Sequence, residues 1–491
     1  MATSEHLTHP TEASPLLSSR AVVQHEDHLR VASATEIPAT FPTTQVLLLC
    51  YARLMEPIAF FSIFPYIAMM VQTRGQLADA DVGFYAGLVE SVFSVVQTFV
   101  LLFWGSLADR FGRRPVLIAS LTGMAVGPAL FGLSRNLWQM MVFRALTGAF
   151  SGANLIIRTM IGELCDGSTQ VKAIAWYTIA GNIGIICGPV IGGALVDPAI
   201  QYPSVFGNVP FLKSYPYALP GFVVGSLGLT ACLSLLLCVD ETWDSSSTSD
   251  TDDDSQDEGN GGHKEQDMTT GQILKNPKTL TVLGVFTYVM ILCFAFSAIL
   301  PVVLYTPIDL GGMGYSPSSI TVYMTSLGIS ETVWMLIAFP FLQTRVRTKG
   351  VMRLCAYFWP AFFAGYILMN AVLRAERTTE NTVFYCLVWA ANVIFGSGIW
   401  MAFAAAQLAV NEVSPNRTVL GKLNSVAEIC SSVSRTVVPP LSTSLFAVGI
   451  GGQIIGGHLA WVVLILLTLG LPVALHWFPD SEASGWSAAR W

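Results

Sequence analysis

Gly105-Ser106-Leu107-Ala108-Asp109-Arg110-Phe111-Gly112-Arg113-Arg114-Pro115-Val116-Leu117 joins two apolar runs, each long enough to cross a bilayer. Gly105 and Gly112 allow close approach and a sharp turn. Asp109 sits at a helix end, where it can meet a helix N-terminus or an arginine. Arg110, Arg113 and Arg114 can rest on anionic headgroups or pair with acids on neighbouring helix ends. A tight basic turn between two membrane helices marks a cytoplasmic face.

The rest of the chain agrees with a membrane setting. Of 491 residues, 53% are hydrophobic and 12% charged, and the mean hydropathy is +0.58. Soluble domains carry about 25% charged residues. Lipid is therefore the solvent for most of this surface. The net charge of −7 comes from one segment: residues 240–267 hold eleven acids and one Lys. The remainder is slightly basic, with no patch suited to nucleic acid. The nine cysteines lie mostly in apolar runs, and none makes C-x-x-C or a zinc-like Cys/His spacing. No metal site and no cofactor are expected.

Twelve apolar spans can be drawn: 44–72, 82–105, 115–133, 137–160, 171–196, 217–239, 280–306, 318–342, 351–373, 382–410, 420–447 and 459–478. Helices are the reading that satisfies the backbone in lipid. The fold class expected is an all-α membrane protein of twelve transmembrane helices in two six-helix pseudo-symmetric bundles. Even-numbered loops carry thirteen Lys and Arg against five in odd-numbered loops. Positive charge stays on the cytoplasmic side, which puts both termini inside.

The domain pattern is a disordered cytosolic N-tail (1–43), a six-helix bundle (44–239), an acidic disordered cytosolic loop (240–279), a second bundle (280–478) and a C-tail (479–491). A weak repeat supports the halving. Glu163 precedes Pro189 by 26 residues, and Glu412 precedes Pro439 by 27. Each Glu closes a span and is followed by a short polar turn with a basic residue. The N-tail also holds Glu12-Ala-Ser-Pro-Leu16-Leu17, an acidic dileucine pattern that points to a vacuolar or lysosome-like membrane. The Asn416-Arg417-Thr418 sequon falls on the cytoplasmic side and is expected to stay unmodified.

Ionisable groups inside spans mark pathways more often than not. Arg53 and Glu56 in the first span are one turn apart and can pair. Pro57 beside Glu56 already breaks the local hydrogen bonding. Glu56 is thus a candidate for proton coupling or cation binding, the alternative being a fixed salt bridge. Glu90, Glu331 and Glu428 are further carboxylates within spans, ranked in that order after Glu56. Arg144 opens Arg144-Ala-Leu-Thr-Gly148-Ala-Phe-Ser-Gly152-Ala-Asn154, whose G-x-x-x-G permits tight helix packing. In the fifth span, Gly184-x-x-x-Gly188-Pro189-x-x-Gly192-Gly193 sets small residues on one face around a kink. Phe60, Tyr66, Asn154, Tyr177, Trp334 and Trp400 are candidates to line a cavity. Aromatic walls of that kind suit a cationic or aromatic ligand.

These motifs, in order and on successive spans, resemble those of the major facilitator superfamily. G-x-L-x-D-R-x-G-R-R-x-x-L resembles its signature loop, Arg144-x-x-x-Gly148 its fourth-helix motif, and the Gly184–Gly193 stretch its antiporter motif. The run Glu56-Pro-Ile-Ala-Phe-Phe-Ser-Ile-Phe-Pro-Tyr66 is similar to fungal or plant zinc-induced-facilitator relatives of the TCR/Tet and drug:proton antiporter branches. The second-half counterpart of the loop, Thr344–Gly350, keeps the basic charge without the Asp.

The resemblance implies the major facilitator fold and a carrier, not an enzyme. It implies that the Gly105–Arg114 loop latches one conformation and that Arg144 serves proton transfer, although a structural partner for a carboxylate is equally open for Arg144. It further implies export of a small organic molecule, a drug or secondary metabolite, by proton antiport with alternating access. Partners are then the substrate, protons and membrane lipid, with the chain acting as a monomer in a plasma or vacuolar membrane. Uptake by symport or uniport is the alternative within transport, and a non-transporting sensor on the same fold is the alternative outside it. ATP-driven transport lacks its phosphate cradle, because Gly421-Lys422 is followed by Leu423.

Overall fold

The computed structural model describes residues 41–165, 167–241, 275–375, 379–414 and 417–479. The dileucine, the sequon asparagine, most of the acidic segment and all but the first residue of the C-tail lie outside these residues.

The first half runs α1 (Thr43–Phe61), α2 (Ile67–Gly75), α3 (Asp79–Phe111), α4 (Arg113–Gly132), α5 (Leu137–Ala149), α6 (Ala153–Leu164), α7 (Gly167–Leu195) and α8 (Ala218–Cys238). The second runs α9 (Pro277–Tyr305), α10 (Pro317–Val333), α11 (Phe339–Arg374), α12 (Thr379–Gly396), α13 (Met401–Glu412), α14 (Arg417–Gly451) and α15 (Leu459–Ala474). Their starts follow local chemistry. Asn136, Asn276 and Ser316 accept backbone N–H groups at the heads of α5, α9 and α10.

Several helices combine into single crossings. α1 and α2 form the first, bent through Ser62–Tyr66, where Pro65 brings no N–H to the helix. α5 and α6 form the fourth, broken at Phe150–Gly152. Among the described residues, ten helical stretches are long and apolar enough to span, and α15 is a shorter apolar helix. One of the ten, Pro317–Arg374, has 58 residues. Straight, it would run about 87 Å, far beyond a hydrocarbon core of about 30 Å. Arg347 interrupts it in a left-handed conformation (φ 56°), so it holds two crossings. With α15, the described residues thus hold twelve crossings, as drawn from hydropathy.

Outward faces carry the apolar side chains that lipid requires, such as Phe99, Phe103, Leu237 and Leu466. The second half is cored by aromatics. Tyr366 stacks on Trp461 with centroids 4.6 Å apart, and the Tyr323 hydroxyl donates to the Tyr366 hydroxyl at 2.8 Å.

The halves meet through α3 against α14 and α7 against α10. Further contacts between the halves, α9 against α2 among them, lie toward the end remote from the Gly105–Leu117 loop. There Tyr305 donates to Gln72 at 2.6 Å, Gly87 lies under Thr443, and Gly193 lies under Thr321.

Asp240 and Glu241, the first two acids of the 240–279 segment, both bond to residues of the first half. Gln45 donates to the Asp240 carboxylate at 2.8 Å, and Glu241 accepts the Arg113 backbone N–H at 2.8 Å.

Candidate functional site

The signature loop is built from charges around a turn that only glycine adopts easily. Gly112 has φ +95°, and a Cβ there would stand 2.8 Å from Glu241 Oε2. Arg113 pairs with Asp109 one turn back and donates through Nε to Glu163 Oε1 at 3.1 Å. Glu241 accepts the backbone N–H groups of Arg113 and Arg114 at the head of α4. Arg114 also donates to the Leu236 carbonyl, and Arg110 lies over Phe111 at 5.5 Å. The ion pairs of Arg113 thus tie α3, α4 and α6 together within the first half. The second half repeats the placement with different chemistry. Glu412 ends α13 and accepts from Thr348, just after the break at Arg347, at 2.7 Å.

The glycine face of α7 seats α1. A Cβ at Gly184 would lie 2.5 Å from Pro57, and one at Gly188 would lie 2.9 Å from Phe61. At Gly192 it would run into the Ser62 carbonyl, and at Gly193 into Thr321 of the second half. Pro189, between Gly188 and Gly192, is buried. Gly148 and Gly152 do the same for α3, against the Phe93 backbone and the Trp104 ring.

Two clusters of ionisable groups occupy the first half. In one, Gln97 Nε2 of α3 donates to Glu56 Oε1 at 2.8 Å and to Ser151 Oγ at 2.7 Å. Arg435 of α14 reaches across from the second half and donates to Gln97 Oε1 at 3.4 Å. Glu56 is 6% exposed, and its Oε2 is buried without a partner. In the other, Arg144 is 2% exposed and lies over Phe93 at 4.8 Å and Phe60 at 5.3 Å. Glu90 and the Tyr66 hydroxyl are within electrostatic range of it, while its Nε and Nη2 have no hydrogen-bond partner.

The pairing of Arg53 with Glu56 does not form. Arg53 instead lies over the Tyr177 ring at 4.9 Å, and Gln97 takes the Glu56 carboxylate. Helical spacing put the two within reach, but partners on α7 and α3 compete successfully for each.

Other candidates scatter. Glu428 is exposed on α14, beside the exposed Ile429. Glu331 is half-buried at the end of α10, just before a π-turn at Trp334–Ala338. Neither joins the Glu56 cluster. Trp334 packs on Gly398 and donates to the Ile394 carbonyl at 2.5 Å, a helix-to-helix contact. Tyr66 is buried and stacks on Tyr217, and Trp400 lies 6.2 Å from Phe296. Phe60 borders the Arg144 cluster. Asn154 is half-buried, with its Oδ1 unpartnered. Gln97, Ser151, Arg158 and Glu241 were missed from sequence. A polar Gln and an Arg within apolar runs were the available signals for two of them.

The family model described as Major Facilitator Superfamily matches residues 49–439. The chain belongs to the major facilitator superfamily. "Efflux pump azaK" of Aspergillus niger is 36% identical over 96% of this chain and 95% of its own length. "Protein ZINC INDUCED FACILITATOR 1" of Arabidopsis thaliana is 24% identical over 85% and 87%. A bacterial homolog of the human lysosomal transporter Spinster, solved in an inward-facing and occupied conformation, superposes with a TM-score of 0.63. It is 14% identical and covers 89% of this chain and 96% of its own, which speaks for the fold. This superfamily member is a multi-pass membrane transporter and not an enzyme.

Proposed function

We propose that the chain exports a small organic molecule in exchange for protons, its two halves exposing a central site to each side in turn. One observation carries this reading: a single side chain, Gln97, links the buried Glu56 carboxylate of the first half to Arg435 of the second. Protonating Glu56 removes the charge that holds this link. The relative affinity of the two facing states then changes, as exchange requires. Arg144 and Glu90, both buried and within electrostatic range of each other without an ion pair, are a second candidate group for the same purpose.

Export is favoured by the name of the 36%-identical relative, an efflux pump, and by the glycine face that lets α1 and α7 slide closely. The loop charge bias supports cytoplasmic termini, in a plasma or vacuolar membrane. The Gly105–Arg114 loop would act as the latch, because its ion pairs fix α3, α4 and α6 as one body. The chain is proposed to work as a monomer.

The test is flux in vesicles holding the full chain under an imposed pH gradient. Flux that follows the gradient in the wild type and loses that dependence in Glu56→Gln supports the reading. Flux unchanged on collapsing the gradient removes proton exchange. Accumulation running with the proton instead of against it makes the protein a symporter.

A further inference from the structure

One turn of α1 carries two buried, unsatisfied atoms of opposite charge. Glu56 Oε2 has no partner, and neither has Arg53 Nε. They lie three residues apart, and yet they do not pair with each other. Arg53 is drawn to Tyr177, where Arg158 of α6 also stands, 5.6 Å from the same ring centroid. Both cations thus share one aromatic ring, whose quadrupole attracts each of them. Among the described residues neither arginine forms an ion pair. Gly181 leaves the room in which Arg53 lies: a Cβ there would meet Arg53 Nη2 at 2.9 Å.

Three helices therefore converge on an excess of positive charge at Arg53, Arg158 and Tyr177. A buried acid oxygen waits about 5 Å along the axis of α1. A guanidinium recognises a carboxylate, often through two parallel N–H donors. A buried carboxylate oxygen recognises an ammonium. Phe60, two turns from Arg53 on the same helix, is half-buried and offers an apolar surface beyond.

We infer that the cargo is a zwitterion, its carboxylate held by Arg53 and Arg158 and its ammonium by Glu56, with an apolar body toward Phe60. The assignment rests on the reading of Glu56 as the exchanging group. It adds a reason for exchange: the ammonium and the proton compete for the same oxygen, so one leaves when the other binds.

The test is equilibrium binding to the full chain in neutral detergent, with three probes on one carbon skeleton. These are L-phenylalanine, phenethylamine (no carboxylate) and 3-phenylpropanoate (no amine). Phenylalanine is expected to bind at least ten-fold more tightly than either. Arg158→Gln should erase its advantage over phenethylamine, and Glu56→Gln its advantage over 3-phenylpropanoate. Arg158 is exposed, so its variant stays informative if Glu56→Gln fails to fold. Lys213→Gln, also exposed, controls for general charge and should change nothing. Equal affinity for phenylalanine and phenethylamine, no binding of any probe, or ratios unmoved by Arg158→Gln overturns the inference. A phosphatidylethanolamine headgroup carries the same two charges. If that lipid at equal concentration abolishes phenylalanine binding, the site holds a headgroup and the cargo assignment falls. No gradient exists in detergent, so this result stands apart from the vesicle test. Proton-driven flux of a neutral cargo would keep the exchange reading and remove this one.

Discussion

Gln97 donates to the Glu56 carboxylate at 2.8 Å across the α1–α3 contact, while its own carbonyl faces Arg435 of the other half. The amide thus satisfies one oxygen of a carboxylate that is nearly out of reach of solvent. Gln97→Leu keeps the side-chain bulk and removes both donor and acceptor. Leaving that oxygen buried and unpaired costs about 1–3 kcal/mol. We expect a lower thermal midpoint in detergent, and vesicle flux reduced by about ten-fold, the rate equivalent of roughly 1.4 kcal/mol. A midpoint and a flux both equal to wild type would remove the link from the mechanism.

Gly192 meets the Ser62 carbonyl so closely that no side chain fits. Gly192→Ala must push α1 from α7, an overpacking cost of about 1–3 kcal/mol. Gly284 has open space where its Cβ would be, so Gly284→Ala is the matched control. It should gain helix propensity of up to about 1 kcal/mol. Thermal unfolding of the two variants separates packing from propensity.

Glu241 holds the head of α4 through two backbone N–H groups. Glu241→Gln removes the charge that complements the helix N-terminus and weakens the turn at Gly112. The site is largely exposed, so we expect a loss of about 0.3–1 kcal/mol. Thiol labelling of a cysteine introduced by Ser106→Cys should rise by a few-fold if the loop loosens. Unchanged accessibility would mean that the Arg113 ion pairs alone order it.

His458, between α14 and α15, is buried beside Arg374, and its Nδ1 has no partner. Burial first, then the Arg374 charge, lowers its pKa below the ordinary 6.5. The unfolded chain then binds more protons than the folded one in the window just below 6.5. Stability is full above that window and falls as pH drops through it. His458→Gln should flatten this part of the stability–pH curve, measured by thermal unfolding between about pH 5 and 7.5.

Much of the architecture was legible in the chain itself. The halving could be read from Glu163 and Glu412, and the structure gives these residues matching places. One reaches Arg113 after the second crossing of its half, the other Thr348 after the second crossing of its own. The G-x-x-x-G spacings could be read too, because close helix contact needs absent side chains wherever it occurs. The ionisable partners could not. Arg53 and Glu56 look paired on a helical wheel, but Tyr177 and Gln97 hold them. Glu428 looks like Glu56 in sequence and sits on an exposed surface.

By itself, the sequence determined that this chain lives in lipid, crosses it as helices and divides in two. A backbone without water must close its own hydrogen bonds, and long apolar runs leave it no other way to do so. Only the tertiary structure decided which buried charge faces which partner. That choice depends on how α1, α3, α7 and α14 cross, and side chains from distant parts of the chain win or lose by a few ångströms at those crossings.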